Sequence, residues 1–253
     1  CKVNVLVIGD SCQDVFCYCE CDRLAPEAPV PVLDYKYEQK SPGMAYNAYR
    51  NIKSLGVDCE IETNSNWRVI KKTRFVDTKT NQMFFRFDSC GKYNRIKLNT
   101  INFLNYDAVV ISDYDKGFLK EDDIEAISNI HNLTFLDTKK EIGEWAENIS
   151  FIKINEVEYN KSKNIFQDIK FKNKLVKTLG SKGCEHKDKI YSVPEVEVKD
   201  VSGAGDTFLA GLVSTFIHTK DIDKSIKFGN KCATEAVSQK GVVSLSKIKT
   251  FYW

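Results

Sequence analysis

The chain has no apolar run approaching the roughly 18 residues that a membrane-spanning helix needs, so the sequence offers no membrane partner of that kind. It also has almost no excess charge, with 37 Lys and Arg against 35 Asp and Glu. Such a balance gives no electrostatic footing for nucleic acid or a membrane surface. No Cys-x-x-Cys pair, internal repeat or low-complexity tract occurs, which removes the common zinc and solenoid signatures. No Gly-x-Gly-x-x-Gly follows the first apolar run, where Gly9-Asp10-Ser-Cys-Gln-Asp14 stands instead, and a dinucleotide-binding dehydrogenase is disfavoured.

What is there is ordinary globular material. A content of 42% hydrophobic and 28% charged residues over 253 positions suits one large α/β domain, read as residues 1–253. The opening CKVNVLVIGD reads as a short buried strand, its apolar run being too brief for a signal peptide. Nine cysteines with no secretory segment point to free thiols in a reducing cytoplasm. Cys17, Cys19 and Cys21 alternate with other residues and would share one strand face. A metal there is the rival reading, but no His lies near in sequence, and a buried or half-buried strand is preferred.

Short runs rich in branched residues recur at Val3–Ile8, Ala108–Ile111, Thr134–Leu136, Ser150–Ile154 and Leu175–Leu179. They suit strands covered on both faces. Helical spacing lies between them. Ala45, Ala48, Ile52 and Leu55 fall on one face ahead of Gly56, and Ile124, Ile127 and Ile130 repeat the pattern. Helices are also expected after the glycines near 203–205 and over about Ile222–Ser238. The alternation predicts a three-layer α/β/α domain with a mainly parallel sheet. Two stretches break the rhythm: Pro29–Lys40 alternates apolar with polar, and Arg68–Asp88 reads as a hairpin turning near Thr78–Asn81. With strands over about 16–40 and 68–88, these predict a small antiparallel β lid over a cleft. Its apolar face would need a cover, and a homodimer through the lid is the expectation.

The most informative string is Asp200–Leu212, DVSGAGDTFLAGL. Gly203 and Gly205 let the backbone approach a ligand, and an apolar helix starts at once. The amides of Gly203, Ala204 and Gly205 would then face outward at the positive end of that helix, an anion site. Asp206 at the same helix start would stay ionised and take a proton from a hydroxyl beside the captured phosphate. A glycine turn with an Asp that only caps the helix would look the same in isolation.

The wider string resembles the C-terminal signature of ribokinase-like (phosphofructokinase-B type) carbohydrate kinases, Asp-Thr-x-Gly-Ala-Gly-Asp, with Val201 in place of Thr. The resemblance implies Asp206 as catalytic base and Gly203, Ala204 and Gly205 as anion hole. Lys153-Ile-Asn155-Glu-Val-Glu158 resembles the family's Asn-x-x-Glu motif, which implies that Asn155 and Glu158 hold Mg²⁺ through water beside ATP. Thr178, Gly180 and Gly183 resemble its strand-end turn at the nucleotide, and Gly229, Asn230 and Ala233 its adenine pocket. A monovalent cation is a further requirement the family allows.

Gly9–Asp14, the string Arg23–Val32 with its three prolines, Pro42–Asn47, Lys72–Arg74, Gln82 with Arg86–Asp88, and Ser112–Gly117 resemble the kinase domain of D-glycero-D-manno-heptose 7-phosphate kinases. These act in ADP-heptose biosynthesis as the first domain of a bifunctional protein. That implies ATP and a sugar phosphate as ligands, with Asp10, Asp14, Gly43, Asn47 and Asp113 at the sugar and Lys72 and Arg86 at its phosphate. The sequence departs from the pattern at Met44, where a second glycine is usual, and in the short stretch between Gly56 and Arg68, where a strand–helix unit is missing. It runs only a little past Gly241, which reads as a kinase-only version without a nucleotidyltransferase domain. A kinase for another sugar or a nucleoside, or a non-catalytic nucleotide or sugar sensor, are the alternatives.

Overall fold

Strand β1 (Asn4–Gly9) opens the computed structural model, which describes residues 3–89, 91–239, 241 and 245. Strands β2 (Ser11–Leu24) and β3 (Pro31–Met44) follow, then helix α1 (Ala45–Ser54), β4 (Asp58–Thr63), and the hairpin β5 (Lys71–Asp77) and β6 (Met83–Asp88). Next come β7 (Ala108–Asp113), α2 (Glu121–Ile130), β8 (Thr134–Thr138), β9 (Phe151–Asn155) and α3 (Glu156–Lys161). The short α4 (Ile169–Lys172), β10 (Leu175–Thr178), β11 (Cys184–His186) and β12 (Lys189–Tyr191) lead to α5 (Ala204–Thr219) and α6 (Ile222–Val237).

Eight strands form the main sheet in the order β12-β11-β10-β9-β8-β7-β1-β4. It is parallel from β10 to β4, with β11 and β12 added antiparallel. Strand alternation sorts its side chains into two cores. Val5, Val7, Ala108 and Val110 pack with residues of α1, α5 and α6, whereas Leu6, Ile8, Val109 and Ile111 pack with Ile124 and Ile127 of α2 and with Phe171. Both faces are covered, so these strands read as continuous apolar runs. The result is the expected α/β/α arrangement. Helix α5 is buried almost throughout, wedged between α1 and α6. Gly229, read from sequence as part of an adenine pocket, sits at the α5–α6 crossing, where an added Cβ would lie 2.9 Å from the Phe208 carbonyl oxygen.

The second sheet has the order β3-β2-β5-β6. Its two outer pairs are antiparallel, and a parallel β2–β5 pairing joins them. The lid strands start and end beyond the 16–40 range expected for the first pair. β2 leaves β1 after the single residue Asp10, and β3 runs straight into α1, so lid and main sheet meet without a linker. Cys17 and Cys19 pack with Val15, Leu33 and Phe75, the buried strand face that their spacing implies, while Cys21 is part-exposed. Cys1 and Cys90 lie outside the described residues. Strand β4 escapes sequence reading: DCEIET carries three acids in six residues because, as the sheet edge, it has only β1 to pair with. From there the chain passes directly into the lid. Among the described residues no helix is long and apolar enough to cross a membrane.

Candidate active site

Gly203 adopts φ 78°, a left-handed turn that a side chain would oppose, and it lets the chain swing into α5. Asp200 holds the turn from outside by accepting the Ser202 amide at 2.8 Å and the Gly241 amide at 3.1 Å. The Ala204 amide turns back to the Val201 carbonyl at 3.3 Å, so Gly205 and Asp206 carry the open donors of the first helical turn. Asp206 is buried at that same end. Its two oxygens accept from Asn47 Nδ2 and from the Tyr114 hydroxyl, each at 2.8 Å. Burial lifts its pKa to about 6, with Asp137 adding to the rise and Asn47, Tyr114 and Lys153 opposing it. Tyr114, part-buried beside this carboxylate, is pushed well above the usual phenol range by desolvation and by Asp206, and so remains a donor.

The donors come from separate elements: Asn47 from the first turn of α1, Tyr114 from just past β7. Asp10 links them. Its carbonyl accepts the Ala45 amide at 2.9 Å, and its carboxylate accepts the amides of Tyr114 at 2.7 Å and Phe118 at 3.2 Å. Its pKa is raised to about 6 by burial and by Asp113. Of the two early carboxylates, Asp10 is thus committed to the backbone, and Asp14 is the one left to meet a ligand.

A cavity of about 860 Å³ opens beside Asp206 at the C-terminal ends of the parallel strands, where α/β folds bind ligands. Gly203–Asp206, Asn155, Thr178, Gly180, Gly183 and Asn230 line it together. Asn230 donates to the Tyr191 carbonyl at 2.8 Å. Asn155 and Glu158 form a reciprocal cap on α3: the Glu158 amide donates to Asn155 Oδ1 at 2.9 Å, and the Asn155 amide to Glu158 Oε2 at 2.8 Å. Lys139 pairs with Glu158 as well. These engaged oxygens suit Mg²⁺ held through its own water shell rather than in a protein cage, the usual manner for that ion beside phosphates. Asn155 lines the cavity, whereas Glu158 lies behind it with both oxygens taken by Asn155 and Lys139, so Mg²⁺ here would meet the pair only through water. Two further residues line the cavity unread: Asp137 and Lys153, an ion pair at 2.5 Å.

On the side of the second sheet, strand register decides. Asp14 pairs across β2–β5 with Lys72, and Phe16 with Arg74, while Arg86 lies opposite Arg74 across β5–β6. All these residues share the lid face that carries Asp14. Arg74 reaches Asp14 Oδ1 at 2.5 Å and stacks on Phe16. Lys72 lies 5.0 Å over the Tyr114 ring. Arg86 sits on the edge strand, half-exposed, and pairs with Asp88 at 2.9 Å. Arg74, a residue the sequence shows only as part of a string, is thus the lid cation that touches the candidate site, in the place expected for Arg86. Gly43 leaves room for Asp14, since a Cβ there would lie 2.0 Å from Asp14 Oδ2. Met44 adopts φ 62°, ψ −134°, a strained combination for a side-chain residue, and buries itself against Cys12 and Ile70. Asp113 belongs to another cluster: it accepts from Thr138 Oγ1 at 2.5 Å and pairs with Lys140 at 3.2 Å.

Sequence reasoning passes over Tyr114, Asp137, Lys153 and Arg74. The strings that carry Tyr114, Lys153 and Arg74 stand out, but nothing local assigns those residues a partner.

The family described as "pfkB family carbohydrate kinase" matches residues 44–249. A curated relative, the bifunctional protein HldE of Helicobacter acinonychis, is 29% identical over 302 residues, covering 97% of this chain. The chain spans 65% of that relative's length. Among solved structures, ribokinase from Thermotoga maritima superposes with a TM-score of 0.73 at 17% identity, covering 95% of this chain and 94% of that one. Arabidopsis thaliana ribokinase complexed with ribose and ATP gives 0.72 at 15% identity, covering 98% of each. The fold is ribokinase-like, and the chain belongs to the pfkB family of carbohydrate kinases, phosphotransferases that act on a sugar hydroxyl.

Proposed function

We propose that residues 1–253 form one kinase domain that transfers the γ-phosphoryl group of ATP to the anomeric hydroxyl of D-glycero-D-manno-heptose 7-phosphate, giving the 1,7-bisphosphate. The observation that carries this reading is Asp206. It is a buried carboxylate with two fixed donors and a pKa near 6, beside the open amides of a helix start in a nucleotide-sized cavity. The heptose assignment draws its support from the HldE relatives.

In this reading Asp206 accepts the proton of the hydroxyl as its oxygen bonds to the γ-phosphorus and the bond to the β–γ bridging oxygen breaks, releasing ADP. The open amides of Gly205 and Asp206, in the turn that Gly203 allows, cradle the group in transit, and positioning with electrostatics supplies most of the acceleration. Bound through water by Asn155 and Glu158, Mg²⁺ would neutralise phosphate charge. Asp14 and Asn47 orient the sugar within the space Gly43 leaves. Arg74, with Lys72, meets the distal phosphate, as a guanidinium fork suits that geometry.

The outer lid residues Tyr35, Phe85 and Phe87 are largely exposed, a patch that a second copy of the chain would cover in a homodimer. A cytoplasmic location goes with such substrates. The deciding assay is ADP release against heptose 7-phosphate, fructose 6-phosphate and ribose. Release with heptose 7-phosphate alone is expected. Equal turnover of ribose would remove the heptose assignment, and preference for fructose 6-phosphate would replace it.

A further inference from the structure

Lys153 is placed where a structural lysine has no need to be. It lies on β9 between the fully buried Ile152 and Ile154, and its ammonium pairs with Asp137 Oδ2 at 2.5 Å. Asp137 is its direct cross-strand neighbour on β8, so both project from adjacent C-terminal strand ends. Each is only 5–6% exposed, yet both line the nucleotide cavity. Lys153 also abuts the glycine loop, since a Cβ on Gly205 would lie 3.0 Å from Lys153 Nζ.

A buried ion pair adds little stability on its own, because desolvating two charges offsets their attraction. This pair instead puts a full positive charge against the loop that presents open amides. The macrodipole at a helix start amounts to only about half a charge. A transferring phosphoryl group is anionic, and a fixed cation in a low-dielectric cavity acts on it strongly, with no reorganisation at the moment of reaction.

We propose that Lys153 is a further catalytic residue, whose ammonium contacts the terminal phosphoryl group of the bound nucleoside triphosphate while Asp137 holds it in place. Lys153 keeps its protons throughout, and the hydroxyl proton still goes to Asp206. The proposal rests on the reading that transfer occurs beside Asp206, but its test does not require turnover.

A terminal-phosphate contact separates ATP from ADP, which lacks that group. Titration calorimetry of the full chain with Mg²⁺ and either nucleotide gives the affinity ratio. Lys153→Met is expected to weaken ATP by about tenfold or more, as for loss of one hydrogen bond to a charged group, and to leave ADP nearly unchanged. Lys153→Arg should restore the preference. Because Lys153→Met strands Asp137 and can unfold the chain, the paired variant Lys153→Met with Asp137→Asn, which leaves no lone buried charge, must show the same loss. If either folded variant keeps the wild-type ATP:ADP ratio, the proposal is overturned. With an active acceptor, kcat should also fall on the order of 10²-fold at unchanged acceptor KM. An inactive wild type would fault the acceptor assignment instead, and the ratio would still decide on Lys153.

Discussion

At the end of the cleft proposed for transfer, Asp206 is buried and both its oxygens meet donors from core elements, whereas at the end proposed for the acceptor Asp14 leans on Arg74 of the lid. The lid's outer residues Tyr35, Phe85 and Phe87 stand largely exposed, while Asp206 and its donor Asn47 are buried. Loss of a group at the first end should therefore strike the chemical step. Loss at the second should strike acceptor recognition and leave the nucleotide alone.

Asp206→Asn tests the first half most severely: a fall in kcat of ~10²–10⁴-fold with ATP affinity intact is expected, read from ADP release and calorimetry. If turnover stays within reach of wild type, the transfer end is misplaced. Next in size is Gly43→Ala, whose methyl would displace the Asp14 carboxylate 2.0 Å away. Acceptor KM should rise on the order of 10²-fold, since a shift of about 1 Å in a positioning group costs that much, with ATP KM unchanged. A matching rise in ATP KM would erase the distinction between the two ends.

Arg74→Ala should raise acceptor KM about tenfold, as for a lost charge-assisted contact. Arg86→Ala, removing an exposed pair with Asp88, should change it by no more than about twofold. A reversed order would return the distal phosphate to the edge strand. At neutral pH and above, the effect of Tyr114→Phe is smaller still, and it shows on the acidic side. With Asp206 near 6, activity rises with pH through that value as the base ionises. Removing a donor that favours the ionised form raises the pKa further, so the acidic limb of kcat/KM should move up by about one unit, with near-normal rates at pH 8 and above.

How far the sequence foretells this arrangement also differs between the ends. The loop at 200–206 is contiguous, and its glycine, carboxylate and following apolar helix each have a local reason, so the base and the anion site are legible without coordinates. The spacing of Asn155 and Glu158 is equally local, because a reciprocal cap needs residues three apart. The donors to Asp206 are not local: Asn47 lies 159 residues away and Tyr114 lies 92 away. Asp137 and Lys153 meet only through the parallel register of β8 and β9. In the lid, alternation reveals the hairpin and its turn. Which arginine faces Asp14 depends on β2 pairing parallel with β5, a long-range contact with no short-range signal. The edge strand β4 shows the same gap, since its acids mask the strand pattern.

Asp10 sits between the two ends. Through its carbonyl it seats the helix that carries Asn47, and through its carboxylate it seats the loop that carries Tyr114. Both grips on Asp206 thus trace back to one buried residue at the junction of the two sheets. One side chain and one carbonyl fix the donors to both oxygens of Asp206, and a change at Asp10 reaches that carboxylate from two sides at once.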